Sequence, residues 1–175
     1  MKRLILLTLA VFSLNAGAQS RIERELVKEI NRFRTENGLD TATYSAGLSK
    51  ASRHHARWMS ITGKLLHDET CQAGTLKTLR DLEDRFREYR FFENWMHGNN
   101  ENITFVELSS DPAAVAKDIV SGWSNSPGHR ANMLESSSRR VELLVGVSVY
   151  CEPGKTNTAV VMNLGSKIKS MPEIR

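Results

Sequence analysis

Apolar positions along the chain recur with two periods, and the switch between them separates helices from strands. From Arg21 to Asn37, the residues Ile22, Leu26, Ile30 and Phe33 follow one another at spacings of four, four and three with charged residues between them. This is the stripe of an amphipathic helix, and Asn37-Gly38 supplies its stop. Leu48 to Ile61 repeats the pattern through Leu48, Ala51, His55, Trp58 and Met59, and Gly63 ends it. His55 falls on or beside that apolar face and is expected to be a core or boundary residue hydrogen-bonded once. Its neighbour His54 points elsewhere and is expected to be exposed. Residues 75–90 read as a third helix. Its run of Lys77, Arg80, Asp81, Glu83, Asp84, Arg85, Arg87, Glu88 and Arg90 mixes both signs and is expected to form one solvated face. The stretch from Phe91 to Asn100 is irregular, with Phe91, Phe92, Trp95 and Met96 expected to cover the core or, as the alternative, to line a pocket.

Further on the period falls to two. Glu101 to Val106 alternates as a short strand with a carboxylate at its start. Asp111-Pro112 opens a helix with Asp as cap and Pro in the first helical position, and Val115, Ile119 and Trp123 mark its buried stripe. Val141, Leu143, Val145, Val147 and Val149 alternate along a strand, Ala159 to Leu164 forms another, and Glu152-Pro153-Gly154-Lys155 turns between them. Helices first, one strand in the middle and a late hairpin predict an α+β fold with helices packed on a small, mainly antiparallel sheet. One domain over residues 21–168 accounts for these elements, with residues 169–175 as a short tail inside a basic end, Lys167 to Arg175, that is expected to fray.

Between the middle helix and the hairpin lies Val120 to Leu134, which joins Trp123, a Pro-Gly pair, His129, Arg130 and Asn132 in a short span. Ser126-Pro127-Gly128 reads as a tight turn that holds His129 at the rim of a helix. His67 follows shortly after the Gly63 stop, and Glu101 opens a strand. Each of these three polar residues sits at an element boundary, where a side chain can face a groove without breaking an apolar stripe.

Composition narrows the possibilities. Lys2 and Arg3, the apolar run Leu4 to Leu14 and the small residues Ala16-Gly17-Ala18 have the three parts of a secretory signal peptide, residues 1–18, and predict a secreted or periplasmic protein. The apolar run is too short to span a bilayer with ordinary flanks, and no later segment approaches a membrane span. Removing 18 of 175 residues leaves 157, enough for one core. The net charge of +4 includes Lys2 and Arg3, so the remainder is near +2, too mild to argue for a nucleic-acid partner. The even pair Cys71 and Cys151, in a chain expected to be exported, predicts a disulfide closing a loop of roughly 80 residues, worth about 4 kcal/mol.

These landmarks, in this order, resemble the CAP superfamily, which groups cysteine-rich secretory proteins, antigen 5 and pathogenesis-related 1 proteins, and most of all its bacterial branch of SCP-like domains. The landmarks are Asn31 and Arg32 with Asn37-Gly38-Leu39, Leu48, His55-Ala56, Gly63, His67, Glu101-Asn102-Ile103, Trp123, Ser126-Pro127-Gly128-His129-Arg130-Ala131-Asn132-Met133-Leu134, and Gly146-Val147. The resemblance implies an α-β-α sandwich and a central cleft where His67, Glu101 and His129 meet, with Ser126 and Asn132 beside them. It further implies a possible divalent-metal site, zinc or similar, on His67, His129 and Glu101. The position of the family's second glutamate is held by Ser126, so three donors remain and weak metal affinity is expected. Asp68 or Glu69 is a candidate replacement carboxylate.

Enzyme signatures are incomplete. Gly122-Trp123-Ser124-Asn125-Ser126 ends in Ser where a nucleophile elbow needs Gly, and there is no HExxH helix and no phosphate-binding glycine loop. The expected function is therefore a non-catalytic binding module, monomeric, for a small ligand or an extracellular macromolecule. The alternative is a metal-assisted hydrolase of peptidase type in which His67, His129 and an ion polarise water while Glu101 acts as base.

Overall fold

The computed structural model describes residues 21–89, 100–136 and 141–168. Within them α1 occupies residues 21–36, and Ile22, Leu26 and Ile30 are fully buried as their spacing predicts. Next come β1 (Thr43–Tyr44), α2 (Ala46–Thr62), α3 (Leu82–Glu88) and β2 (Asn100–Val106). The chain continues through α4 (Pro112–Ser124), α5 (Pro127–Met133), β3 (Val141–Tyr150) and β4 (Thr158–Ile168). Helix α2 starts on Ser45, whose side chain accepts from the Leu48 N–H, and stops at Gly63, which adopts φ 69° and returns its N–H to Met59.

The strands form one open sheet in the order β1-β3-β4-β2, antiparallel except for β1 on β3. Alternation along the two long strands divides the core. Leu143, Val145, Val147 and Val149 of β3, with Val160, Met162 and Leu164 of β4, pack against apolar residues of α1, α4 and α5. On the other face Ala159 and Val161 of β4 and Ile103 of β2 pack against Ala56, Trp58 and Met59 of α2. The result is the α+β, α-β-α sandwich expected, with β4 buried on both faces at its centre. Helix α2 lies directly on Gly146, where an added Cβ would come within 2.3 Å of the Leu48 side chain and 2.4 Å of its backbone. Only glycine admits that approach.

Several expectations are corrected. The third helix is α3 alone and does not begin at residue 75, because Leu79 N–H is taken by the Glu69 carboxylate and Arg80 O by Glu69 N–H, each at 2.8 Å. Asp81 then caps the helix through Asp84 N–H. The C-terminal strand runs further than foreseen, pairing Lys167 with Glu142 and Ile168 with Val141, so these two residues do not fray. Cys71 and Cys151 are not bonded to each other. The Cys151 thiol is folded into the β3–β4 turn, 3.2 Å from Lys155 O, while Cys71 packs at the margin of the Trp58 cluster and offers its carbonyl to Trp58 Nε1. The two-residue strand β1 gave no periodic signal. The signal-like residues 1–18, most of the aromatic stretch (91–99) and residues 169–175 lie outside the described residues. Among the described residues no helix is long and apolar enough to cross a membrane.

Candidate functional site

Strand β2 places Glu101, Ile103 and Phe105 on the α2 face of the sheet, and Asn102 and Val106 on the face of α4 and α5. Glu101 is 5 % exposed and faces three groups that can carry positive charge, His67, Arg85 and, at 3.9 Å, His55 Nε2. Its Oε1 lies 3.0 Å from His67 Nδ1, and Arg85 Nη2 lies 3.1 and 3.0 Å from its two oxygens. The same guanidinium nitrogen donates to His67 O at 3.1 Å, so one buried arginine holds both the backbone of His67 and its carboxylate partner. Burial pushes the Glu101 carboxyl up, but the His67 hydrogen bond and the Arg85 charge outweigh it and hold it below the usual carboxylate range. The His67 side chain is 57 % exposed, and its hydrogen bond with Glu101 raises its pKa.

Beneath this pair lies a second carboxylate, Glu69. It is buried and takes the Leu79 N–H, His55 Nδ1 at 3.2 Å and a longer approach of His54 Nε2 at 3.4 Å. Burial alone would raise its pKa. The close approach of His54 and the hydrogen bonds from His55 and Leu79 reverse that and bring it down to about 2. His55 is bonded twice rather than once, with Nε2 on Leu66 O at 2.9 Å, and its ring stacks on Trp58. His54, expected to be exposed, is buried and bonded through Nδ1 to the Tyr89 hydroxyl at 3.1 Å. Arg85, expected on a solvated face, is fully buried. Its signal was present in the sequence, since Leu82 and Phe86 flank it at spacings that put all three on one side of a helix.

The other half of the site comes from α5. Ser126-Pro127-Gly128 is the start of that helix rather than a free turn, with Pro127 in the first turn and Ser126 as an N-cap whose side chain makes no capping bond. Arg34 of α1, buried and unremarked in the sequence, fixes the far end by donating to Met133 O at 2.7 Å and Glu135 O at 2.9 Å. Asn132 donates to Glu101 O at 3.2 Å and to Asn102 Oδ1 at 2.9 Å, and Asn102 donates to His129 O at 3.0 Å. This ladder docks α5 on β2. His129 is half-buried beside Trp123, with ring centroids 6.5 Å apart. Burial lowers its pKa, and the nearby His67 charge lowers it further.

Two hollows are lined by residues of β2 here. His67, Asp68, Glu101 and Asn132 line a polar one of about 290 Å³. His129 instead heads a larger cleft of about 480 Å³ between β2 and α4, walled by Leu65, Ile103, Ile119 and Trp123. Asp68 is on the exposed rim and Glu69 is below it, while Ser126 joins neither lining. His67 and Glu101 line the polar hollow and His129 the larger cleft, so the three expected donors are divided between the two. Among the described residues there is no group of three or more His, Cys, Asp or Glu side chains placed to hold a metal ion. The cation beside Glu101 is the Arg85 guanidinium, which would repel a metal drawn to the same oxygens.

Residues 27–164 match the sequence profile of the Cysteine-rich secretory protein family, CAP, and the chain belongs to that family. A search of curated protein sequences found no match. Among solved structures, an outer surface protein from Borrelia burgdorferi is similar with TM-score 0.60 and 15 % identity, covering 85 % of this chain and 93 % of that one. An extracellular protein containing a SCP domain from Bacillus anthracis str. Ames gives 0.53 and 18 %, covering 83 % of this chain and 41 % of that one. The CAP domain of Enterococcal PrgA gives 0.52 and 16 %, covering 90 % and 66 % respectively. At these identities the likeness is one of fold.

Proposed function

We propose that residues 21–168 form a single exported CAP domain, secreted or periplasmic, that works as a binding module, with the cleft headed by His129 as its ligand site. The signal-like residues 1–18 support export. The state of Glu101 supports binding over catalysis. A general base must reach a proton on water or substrate and hold it, but both Glu101 oxygens are engaged by Arg85, one also by His67, and its pKa is depressed. The network is suited to fixing β2, α3 and His67 in place. The half-buried imidazole and apolar walls of the larger cleft are suited to contact with a ligand.

A hydrolase reading draws support from one observation. The His67 pKa is raised and the His129 pKa lowered, which is how an acid and a base are set apart in one site. Incubating the purified protein with a broad peptide library, with and without zinc, separates the two. The binding reading expects no turnover above buffer. Turnover that is lost in His129→Ala would replace it with the hydrolase.

A further inference from the structure

We infer that the larger cleft takes an extended peptide segment carrying a basic residue, added as a further strand along the free edge of β2; this rests on the binding-module reading and specifies its partner. The direction of the backbone groups follows from the far side of the sheet. Val145 O accepts from Ser45 N–H, and the N–H groups of Val147 and Val149 go to Ser49 and Glu23, so these residues face away from β4. Alternation through the registers β3–β4 and β4–β2 then gives the β4 ladder bonds to Asn102, Thr104 and Val106. Glu101, Ile103 and Phe105 therefore point their N–H and C=O groups outward. Glu101 O is met by Asn132, and Phe105 O by the Thr104 hydroxyl. Among the described residues the outward N–H groups of Ile103 and Phe105 have no partner.

The cleft opens over that edge. Successive side chains of a strand point to opposite faces, yet five consecutive residues, 103–107, line it. Leu65 reaches it from the loop on the α2 side and Asp118, Ile119 and Trp123 from α4 on the other, so the two walls meet across the edge of β2. Strand edges are usually blunted by lysine, proline or a covering element; Asn100–Val106 contains neither residue, and while Glu101 to Ile103 are buried, Thr104 to Val106 are only half-buried. Leu65 and Leu108, 50 % and 41 % exposed, add apolar surface beside it. Trp123 Nε1 is buried with no acceptor among the described residues, and a peptide carbonyl at that wall would supply one. Glu107 and Asp118 line the cleft as exposed carboxylates without an ion-pair partner among the described residues. Their charge selects a lysine or arginine in the strand that docks.

Fluorescence anisotropy with labelled octapeptides that alternate Val with Thr and end in Lys-Lys or Glu-Glu tests this. The Lys-ended peptide is expected to bind about tenfold tighter, and Glu107→Lys with Asp118→Lys to abolish the preference. On binding, the Ile103 and Phe105 amides should slow their hydrogen exchange by about tenfold or more. Equal binding of the two peptides, or unchanged exchange at both amides, overturns the inference. If neither peptide binds but the apolar dye anilinonaphthalene sulfonate does, and His129→Trp blocks it, the peptide partner is wrong while the binding-module reading stands. If neither peptide nor dye binds and the protein turns over substrate, both fall.

Discussion

Arg85 and Glu101, from α3 and β2, form a buried pair in which one guanidinium nitrogen lies 3.1 and 3.0 Å from the two carboxylate oxygens. Removing one partner leaves the other charged in the core. Arg85→Met is therefore expected to destabilise the protein by about 3–5 kcal/mol, and the double variant Arg85→Met with Glu101→Leu to recover most of that loss. Urea denaturation of the three proteins checks this. A double variant no better than the single one would mean that the arginine acts through His67 O and packing rather than through the ion pair.

Glu69 gives the fold an acid limit. Its carboxyl titrates near 2 when folded against an ordinary 4.5, so the unfolded chain takes up a proton that the folded one refuses. The stability it supplies is complete above about pH 4.5 and is lost as pH falls from there toward 2. Glu69→Gln should be less stable at pH 7 and show a shallower loss of stability between pH 4.5 and 2. Equal slopes for the two proteins in that window would contradict the assignment.

Much of this architecture can be read from periodicity, because burial there follows hydrophobicity. The α1 stripe, the Asp111-Pro112 helix start and the alternation of β3 all signal themselves within a few residues. The polar knot does not. His54, Glu69 and Arg85 are buried because each finds a partner far along the chain, Tyr89, Leu79 and Glu101 respectively, and no local period records such pairings. The charge run around Arg85 reads as solvated when its sign pattern is weighed without Leu82 and Phe86 on the same side. Family resemblance brings His67 and Glu101 together as partners, but it does not supply the cation that completes them.

Zinc bears on the donor set directly. With Arg85 on Glu101, a tenth of a millimolar of zinc, roughly the weak end of protein sites, is expected to move Tm by less than about 2 °C at pH 7.5. A rise of more than about 5 °C that shrinks as the pH is lowered, because a protonated imidazole cannot bind metal, would show that His67, His129 and Glu101 rearrange to hold an ion.

The imidazoles report most directly on the central claim, that a carboxylate fixed by a buried arginine governs His67 while His129 stands apart in the ligand cleft. Following the two rings by NMR through a pH titration, the account predicts that His67 titrates above the ordinary 6.5 and His129 below it. In Glu101→Gln the His67 pKa should fall, since its raising hydrogen bond is lost, with His129 far less affected. Two histidines that titrate together in the native protein, or a His67 pKa that Glu101→Gln leaves unchanged, would contradict it.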